Sequence, residues 1–183
     1  LKGYTYNPDM SRELLRKAGF PGGKGIDEIT LNVTEQYLEL SQFVKHELEE
    51  IGIPVKIYLN RPIVQLEIIA NAQVNFFRKS WVADYADAEN FFACFYSKNL
   101  SPKGPNYTHF KHKKYDELFE ESLHESDNTK RFEIYKEMDK ILIEEAPIIP
   151  LFYDQVFRLV NNKIENFTLN PMNLLNLKRV KKK

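Results

Sequence analysis

The chain is expected to fold as an α/β unit followed by a helical half, and three observations lead there. ITLNVT at residues 29–34 and VKIYL at 55–59 carry the β-branched, alternating pattern of strands. A long amphipathic stretch separates them, which an antiparallel hairpin would not need. A second helical pattern then leads to a third apolar run, VNFF, from Val74 towards Trp81. The order β-α-β-α-β with such crossovers implies parallel neighbours and right-handed connections.

Taken in order, Asn7-Pro8-Asp9 is turn chemistry, and Asp9 or Ser11 can cap a helix that buries Leu14, Leu15 and Ala18. Gly19 stops it, and PGGKG at 21–25 is a loop. After the first strand, residues 35–50 form a helix with Leu38, Phe43, Val44 and Leu48 on its buried face. Gly52 and Pro54 end it before the second strand. Residues 62–71 are helical, with Ile63, Leu66 and Ile69 facing inward. The second half starts with a turn-rich loop, 97–106, and continues with helices at 113–125 and 129–145, separated by Asp127-Asn128-Thr129. Ala146-Pro147 ends the last helix. IIPLFYDQVFRLV is then a long extended segment, and NFTLNPMNLLNL a strand-like piece with a turn at Asn170-Pro171.

The composition excludes several classes. With 26 Lys plus Arg against 26 Asp plus Glu in 183 residues, no global field draws in nucleic acid or an anionic membrane. The basic end, Lys178-Arg179 and 181–183, is local and reads as a frayed, solvated tail. No run approaches the length of a membrane span. LKGYTYNPDM lacks the layout of a signal peptide, so the chain either stays inside the cell or is a mature or truncated piece. Cys94 is alone and set in FFACFY, an inert core thiol rather than a nucleophile. The surplus of rings, 10 Tyr, 13 Phe and one Trp, fits large apolar or stacking surfaces in core, interface or cleft.

Enzyme motifs are missing: there is no G-x-S-x-G, no P-loop, no G-x-G-x-x-G and no H-E-x-x-H. His109 and His112 are spaced to meet on a helix, but THFKHKK offers no nearby carboxylate and Pro105 argues for a loop at its start. His46 and His124 read as exposed residues on helix faces. No metal or cofactor is assigned. The chemistry that stands out is SWVADYADAENF at 80–91, where Asp84, Asp87 and Glu89 are scattered among rings just past the carboxyl end of the third strand. Ligands on parallel sheets bind in that place. Asp84 can accept a cation there or make an Asx turn, and Asp87 is read as the cap of a helix beginning at Ala88.

In order along the chain, YNPDMSRELLRKAGFPGG, the ITLNV strand, ELEEIGIPVKI, SWVADYADAENF, the NYTHFKHKKYDELF to IIPLFY region and NPMNLLNLKRV resemble one family. It is the oligopeptide/dipeptide-binding family of bacterial extracytoplasmic solute-binding proteins, the receptors of ABC importers. SWVADYADAENF is similar to its W-x-x-D-Y-x-D-x-x-N-F signature. The resemblance implies an α/β, periplasmic-binding-protein type II-like lobe, with a mixed, mostly parallel sheet flanked by helices. It also implies a C-terminal piece of a longer, two-lobed chain. Residues 1–149 would then form the second, ligand-binding lobe, and 150–183 a segment returning towards the first.

Further implications concern function. The protein is expected to be no enzyme but a receptor that closes over short peptides held by their free amino terminus. It would work with a membrane permease, in the periplasm or lipid-anchored at the outer face of the cytoplasmic membrane. Asp84 occupies the position that pairs with the peptide ammonium, and Trp81 is the tryptophan beside it. Tyr85 adds a second aromatic wall, a setting suited to a desolvated cation. Arg78, three residues before the tryptophan, matches an arginine that receives the carboxylate of short peptides in some relatives. If the strand persists, Arg78 shares a face with Asp84; a structural ion pair between them is the other reading. Asn106 and Tyr107 match an N-Y segment and are expected in the cleft lining or in packing. Ala86 departs from the family's usual proline, which loosens the turn and keeps the acid. An oligosaccharide, nickel chelate or haem cargo, or an interaction module without transport, remains the alternative.

Overall fold

A computed structural model describes residues 3–153, 155–170 and 174–183. Asp154 of the extended segment and Pro171, Met172 and Asn173 of the expected C-terminal turn lie outside them. Helix α1 spans Pro8–Lys17, and its cap is Asn7 rather than Asp9 or Ser11: Asn7 Oδ1 accepts from the Met10 N–H at 2.9 Å. Pro8, at the first helical position, has no N–H to leave unmatched. α1 buries none of its residues fully; Leu15 is half-buried, while Leu14 and Ala18 are exposed.

β1 (Ile29–Val33) and β2 (Val55–Leu59) pair in parallel, Ile29 opposite Val55 through Val33 opposite Leu59. A short 3-10 turn, Glu35–Tyr37, and helix α2 (Leu38–Glu50) make the crossover. Leu31, Val33 and Val55 form the sheet's core, covered by Val44 and Leu48 of α2 and by Phe76. Phe43 points away and is exposed, whereas Ser41 is buried and donates to the Tyr37 carbonyl at 2.7 Å. The turn into β2 fits closely against the PGGKG loop. Gly23 and Gly52 both adopt positive φ, and a Cβ on Gly23 would stand 1.7 Å from the Gly52 carbonyl oxygen.

Helix α3 (Pro62–Ala70) buries Ile69 as expected but otherwise turns a different face inward. Gln65 and Ile69 are buried, while Ile63 and Leu66 are exposed. The reason is polar. Gln65 donates to the Asn32 carbonyl at 2.8 Å and accepts from the Asn60 amide at 2.8 Å, closing a network at the carboxyl end of the sheet. The third strand is reduced to one parallel bridge, Asn32 to Phe77, with Asn32 N–H on the Phe76 carbonyl and Arg78 N–H on the Asn32 carbonyl. Beyond it, Arg78 and Lys79 each turn onto a tyrosine ring, and the backbone leaves the ladder.

The helical half has a core of its own. Short helix α4 (Glu89–Phe92) delivers Phe92 to α5 (Lys113–His124) and α6 (Asn128–Glu145). Tyr115, Leu118, Phe119, Ile134, Tyr135 and Met138 complete the cluster. Asp127 caps α6 through Thr129 N–H at 2.8 Å, and Ala146, left-handed at φ 46°, ends it before Pro147. The long segment after Pro147 has no ladder among its described residues, and Asn166–Asn170 is likewise not a strand. The basic tail is not frayed. β4 (Lys181–Lys182) pairs antiparallel with β3 (Ile164–Glu165), and Lys183 Nζ lies 3.2 Å from Glu165.

Candidate ligand-binding site

The site forms where the chain leaves the sheet and enters the helical core. The bridge at Phe77 anchors one end, and Phe92, stacked on Tyr135 with 4.7 Å between ring centroids, anchors the other. Between these anchors, side-chain hydrogen bonds set the path. Asn90 is the hub, only 5% exposed. Its Oδ1 accepts from the Trp81 indole N–H at 2.7 Å and from the Asp84 backbone N–H at 3.3 Å. Its Nδ2 donates to Asp84 Oδ2 at 3.5 Å. An indole can only donate, which fixes the orientation of the amide. One buried side chain therefore holds the tryptophan ring and the acid together.

Asp87 ties the same loop to α6. Its Oδ1 accepts from the Glu89 N–H at 2.9 Å, and Arg131 donates to both carboxylate oxygens at 2.8 and 3.0 Å. Burial alone would raise its pKa, but the Glu89 N–H and the guanidinium outweigh that and hold it below the ordinary value. Asp87 thus accepts a first-turn N–H and adds an ion pair, but it is not the N-cap residue: α4 begins at Glu89, one residue later than expected, with Ala88 at the N-cap. The Tyr85 hydroxyl donates to the Glu89 carboxylate, which holds the phenol above its ordinary pKa.

A cavity of about 440 Å³ opens at this loop, within the size range of small-ligand sites. Two chain segments line it. Trp81, Asp84, Tyr85 and Asn90 come from the first, and Pro102, Lys103, Gly104, Pro105 and Tyr107 from the second. Gly104 is required by space: a Cβ there would stand 2.4 Å from the Asn99 carbonyl oxygen. Asp84 is exposed, so its carboxylate keeps capacity for a further donor.

Four of the six expected residues, Trp81, Asp84, Tyr85 and Tyr107, thus meet at one cavity. Arg78 does not line it. Its guanidinium lies over the Tyr37 ring, 3.4 Å from the centroid, because the strand that would have aligned it with Asp84 ends after one bridge. Asn106 is fully buried inside its loop. Its Nδ2 donates to the Tyr96 and Phe110 carbonyls at 3.1 and 2.9 Å, and its Oδ1 accepts from Thr108 and the Phe110 N–H. It shapes the loop without lining the cavity. Six further lining residues, Asn90, Ala93, Pro102, Lys103, Gly104 and Pro105, were not expected there; Asn90 had a signal, as the asparagine of the W-x-x-D-Y-x-D-x-x-N-F signature, whereas Lys103 had none.

The remaining reactive groups have local partners. Burial, with the Asp84 charge adding to it, pushes the Cys94 thiol up to about 12. His112 Nδ1 accepts from the Tyr115 N–H at 3.1 Å and caps α5; His109 Nε2 lies 3.0 Å from the Ser101 hydroxyl. Among the described residues no group of three or more His, Cys, Asp or Glu is placed to hold a metal ion.

Residues 1–103 match the family described as bacterial extracellular solute-binding proteins, family 5, middle region. The chain belongs to this family. It is 24% identical over 176 residues to the dipeptide-binding protein of Escherichia coli K12, covering 94% of this chain and 33% of that protein. It is 26% identical over 151 residues to the dipeptide-binding protein DppE of Bacillus subtilis, covering 82% and 27%. The chain thus spans about a third of the length of these relatives. Among solved structures, a periplasmic oligopeptide-binding protein of Borrelia burgdorferi superposes with a TM-score of 0.81 at 25% identity, over all of this chain and 37% of that one. The periplasmic binding protein DppA of Helicobacter pylori, in complex with the peptide STSA, gives a TM-score of 0.72 at 26% identity, over 80% and 29%. The fold is therefore that of a type II periplasmic-binding-protein lobe, and the family is one of solute receptors rather than enzymes. Among the described residues no helix is long and apolar enough to cross a membrane.

Proposed function

We propose that this chain is the ligand-binding lobe of an ABC-importer receptor that captures short peptides by their free amino terminus. The observation that carries the proposal is Asp84, an exposed carboxylate held at the mouth of a 440 Å³ cavity by the buried Asn90 and flanked by Trp81 and Tyr85. A peptide ammonium needs an anion that can accept its hydrogen bonds and apolar walls that shed water around the pair. Relatives named as dipeptide-binding proteins in two organisms support the peptide class. In this reading residues 1–149 form one lobe, and hinge closure by a second lobe covers the ligand. Residues 150–183 run back to that second lobe, and the exposed Phe152, Tyr153, Phe157 and Leu159 support this, since a succession of large apolar side chains left in water is the usual sign of a surface that another body covers. The receptor works outside the cytoplasmic membrane with a permease and catalyses no reaction.

The test is calorimetric titration of the intact protein with a short peptide and with its N-acetylated twin. Acetylation is expected to weaken binding about a hundredfold, the loss when a desolvated charge is left without its partner. Equal binding of the two would make Asp84 structural. If neither binds, the peptide reading falls.

A further inference from the structure

The cavity is electrically two-sided by sequence segment. The 81–90 segment contributes Asp84, and the 102–107 segment contributes Lys103 together with Tyr107, whose ring carries a second ammonium, Lys79 Nζ, 3.7 Å from its centroid. Neither lysine has a carboxylate partner among the described residues, whereas Lys98, Lys136 and Lys140 each pair with a glutamate. Lys79 is half-buried, and burial holds its pKa below the ordinary value. The titratable group that acts on it is Cys94, a thiol that burial keeps protonated. Such a cation is tolerated because the ring face of Tyr107 supplies partial negative charge. A wall with two uncompensated ammonium groups favours an anion.

We infer that the 102–107 wall receives a carboxylate of the bound ligand, with Lys103 as the direct donor and Lys79 setting the wall's charge from behind Tyr107. The inference rests on the peptide reading above, and it reassigns the basic half of the clamp from Arg78, which is stacked on Tyr37 outside the cavity, to Lys103. It also accounts for Lys79, a charge the sequence places where the end of an apolar strand was expected. The carboxylate can be the peptide's own C-terminus or an acidic side chain, and the two sources separate in one experiment.

Calorimetric titrations of the intact protein and of its Lys103→Met and Lys79→Met variants would use two matched pairs. Ala-Ala against Ala-Ala-amide reads the terminal carboxylate, and Glu-Ala-amide against Gln-Ala-amide reads the side chain. In the wild type at least one pair is expected to show about a tenfold preference for the carboxylate, the scale of a charge-assisted hydrogen bond at a partly solvated site. Lys103→Met should bring that ratio close to one, and Lys79→Met should lower it by about twofold to threefold. A wild-type ratio near one in both pairs overturns the inference while leaving the ammonium clamp standing, provided N-acetyl-Ala-Ala-amide still binds more weakly than Ala-Ala-amide. A preference that survives Lys103→Met overturns it as well. If no peptide binds, the peptide reading and this inference fail together.

Discussion

Asn90→Leu is the substitution that separates a positioned site from a merely present one. Leucine keeps the branched shape of Asn90, with methyl groups in place of the amide oxygen and nitrogen, and removes three hydrogen bonds together: the 2.7 Å bond from Trp81, the 3.3 Å bond from the Asp84 backbone and the 3.5 Å bond to the Asp84 carboxylate. The first is a well-formed neutral bond, worth about 1 kcal/mol net, and the two longer ones add about 0.5–1 kcal/mol together. The apolar side chain recovers part of this, because the position is only 5% exposed. A net loss of about 1–1.5 kcal/mol remains, which lowers Tm by about 2–6 °C in a chain of this size. Affinity should suffer more than stability, since Trp81 and Asp84 lose the one group that places them relative to each other. Thermal unfolding and peptide titration of the intact protein give the two numbers, and affinity is expected to fall at least tenfold. If Tm drops by the expected amount while peptide affinity stays within twofold of the wild type, Asn90 only fills the core and the site is built otherwise.

Other outcomes follow from the same geometry. Asp84→Asn should abolish the discrimination between a free and an N-acetylated peptide, with little change in Tm because the carboxylate is exposed; retained discrimination in titration would place the ammonium elsewhere. Arg131→Met should cost about 1–2 kcal/mol of stability by breaking the two bonds to Asp87. Because Asp87 has a lowered pKa when folded, its contribution is present above the unfolded carboxylate value near ~4 and is lost as pH falls through the folded value. The wild type should therefore lose its advantage over Arg131→Met in unfolding curves below about pH 4, and an advantage undiminished at about pH 2 would count against the pair. Gly104→Ala should distort the second wall, since its Cβ would overlap the Asn99 carbonyl, and peptide titration should show weakened binding beyond what the change in Tm explains. Cys94, with its thiol pushed up to about 12, should react with a thiolate-selective reagent at pH 8 at least a hundredfold more slowly folded than unfolded; rapid labelling of the native protein would contradict its burial.

Much of the fold was legible because it depends on local rules. The strands at 29–33 and 55–59 and the helices at 38–50, 113–124 and 128–145 stand where alternation, amphipathic spacing and caps put them. What failed was facing. Phe43, Ile63 and Leu66 are apolar yet exposed, while Ser41 and Gln65 are polar yet buried, because a hydrogen-bond partner makes burial tolerable for a polar group: Ser41 finds the Tyr37 carbonyl one turn back, and Gln65 the Asn32 carbonyl 33 residues away. The third strand is shorter than its apolar run for a related reason, although Lys79, a charge within that run, was a signal for an early end. Whether Arg78 stays on a ladder or stacks on Tyr37 is a competition between contacts that a linear pattern does not contain.

The candidate site divides along the same line. By itself the sequence determined the family, through W-x-x-D-Y-x-D-x-x-N-F, and with it which residue types stand near one another along 81–91, because spacing within a dozen residues constrains geometry directly. Only the tertiary structure decided that Tyr107 and Lys103 join Asp84 at one cavity, that Arg78 and Asn106 do not face it, and that Asn90 holds the acid and the ring together. The physical reason is the separation of about twenty residues between the two walls, whose meeting depends on Phe92 and Tyr115 packing in a core formed by three helices. No local propensity encodes that contact; it exists once the chain has collapsed.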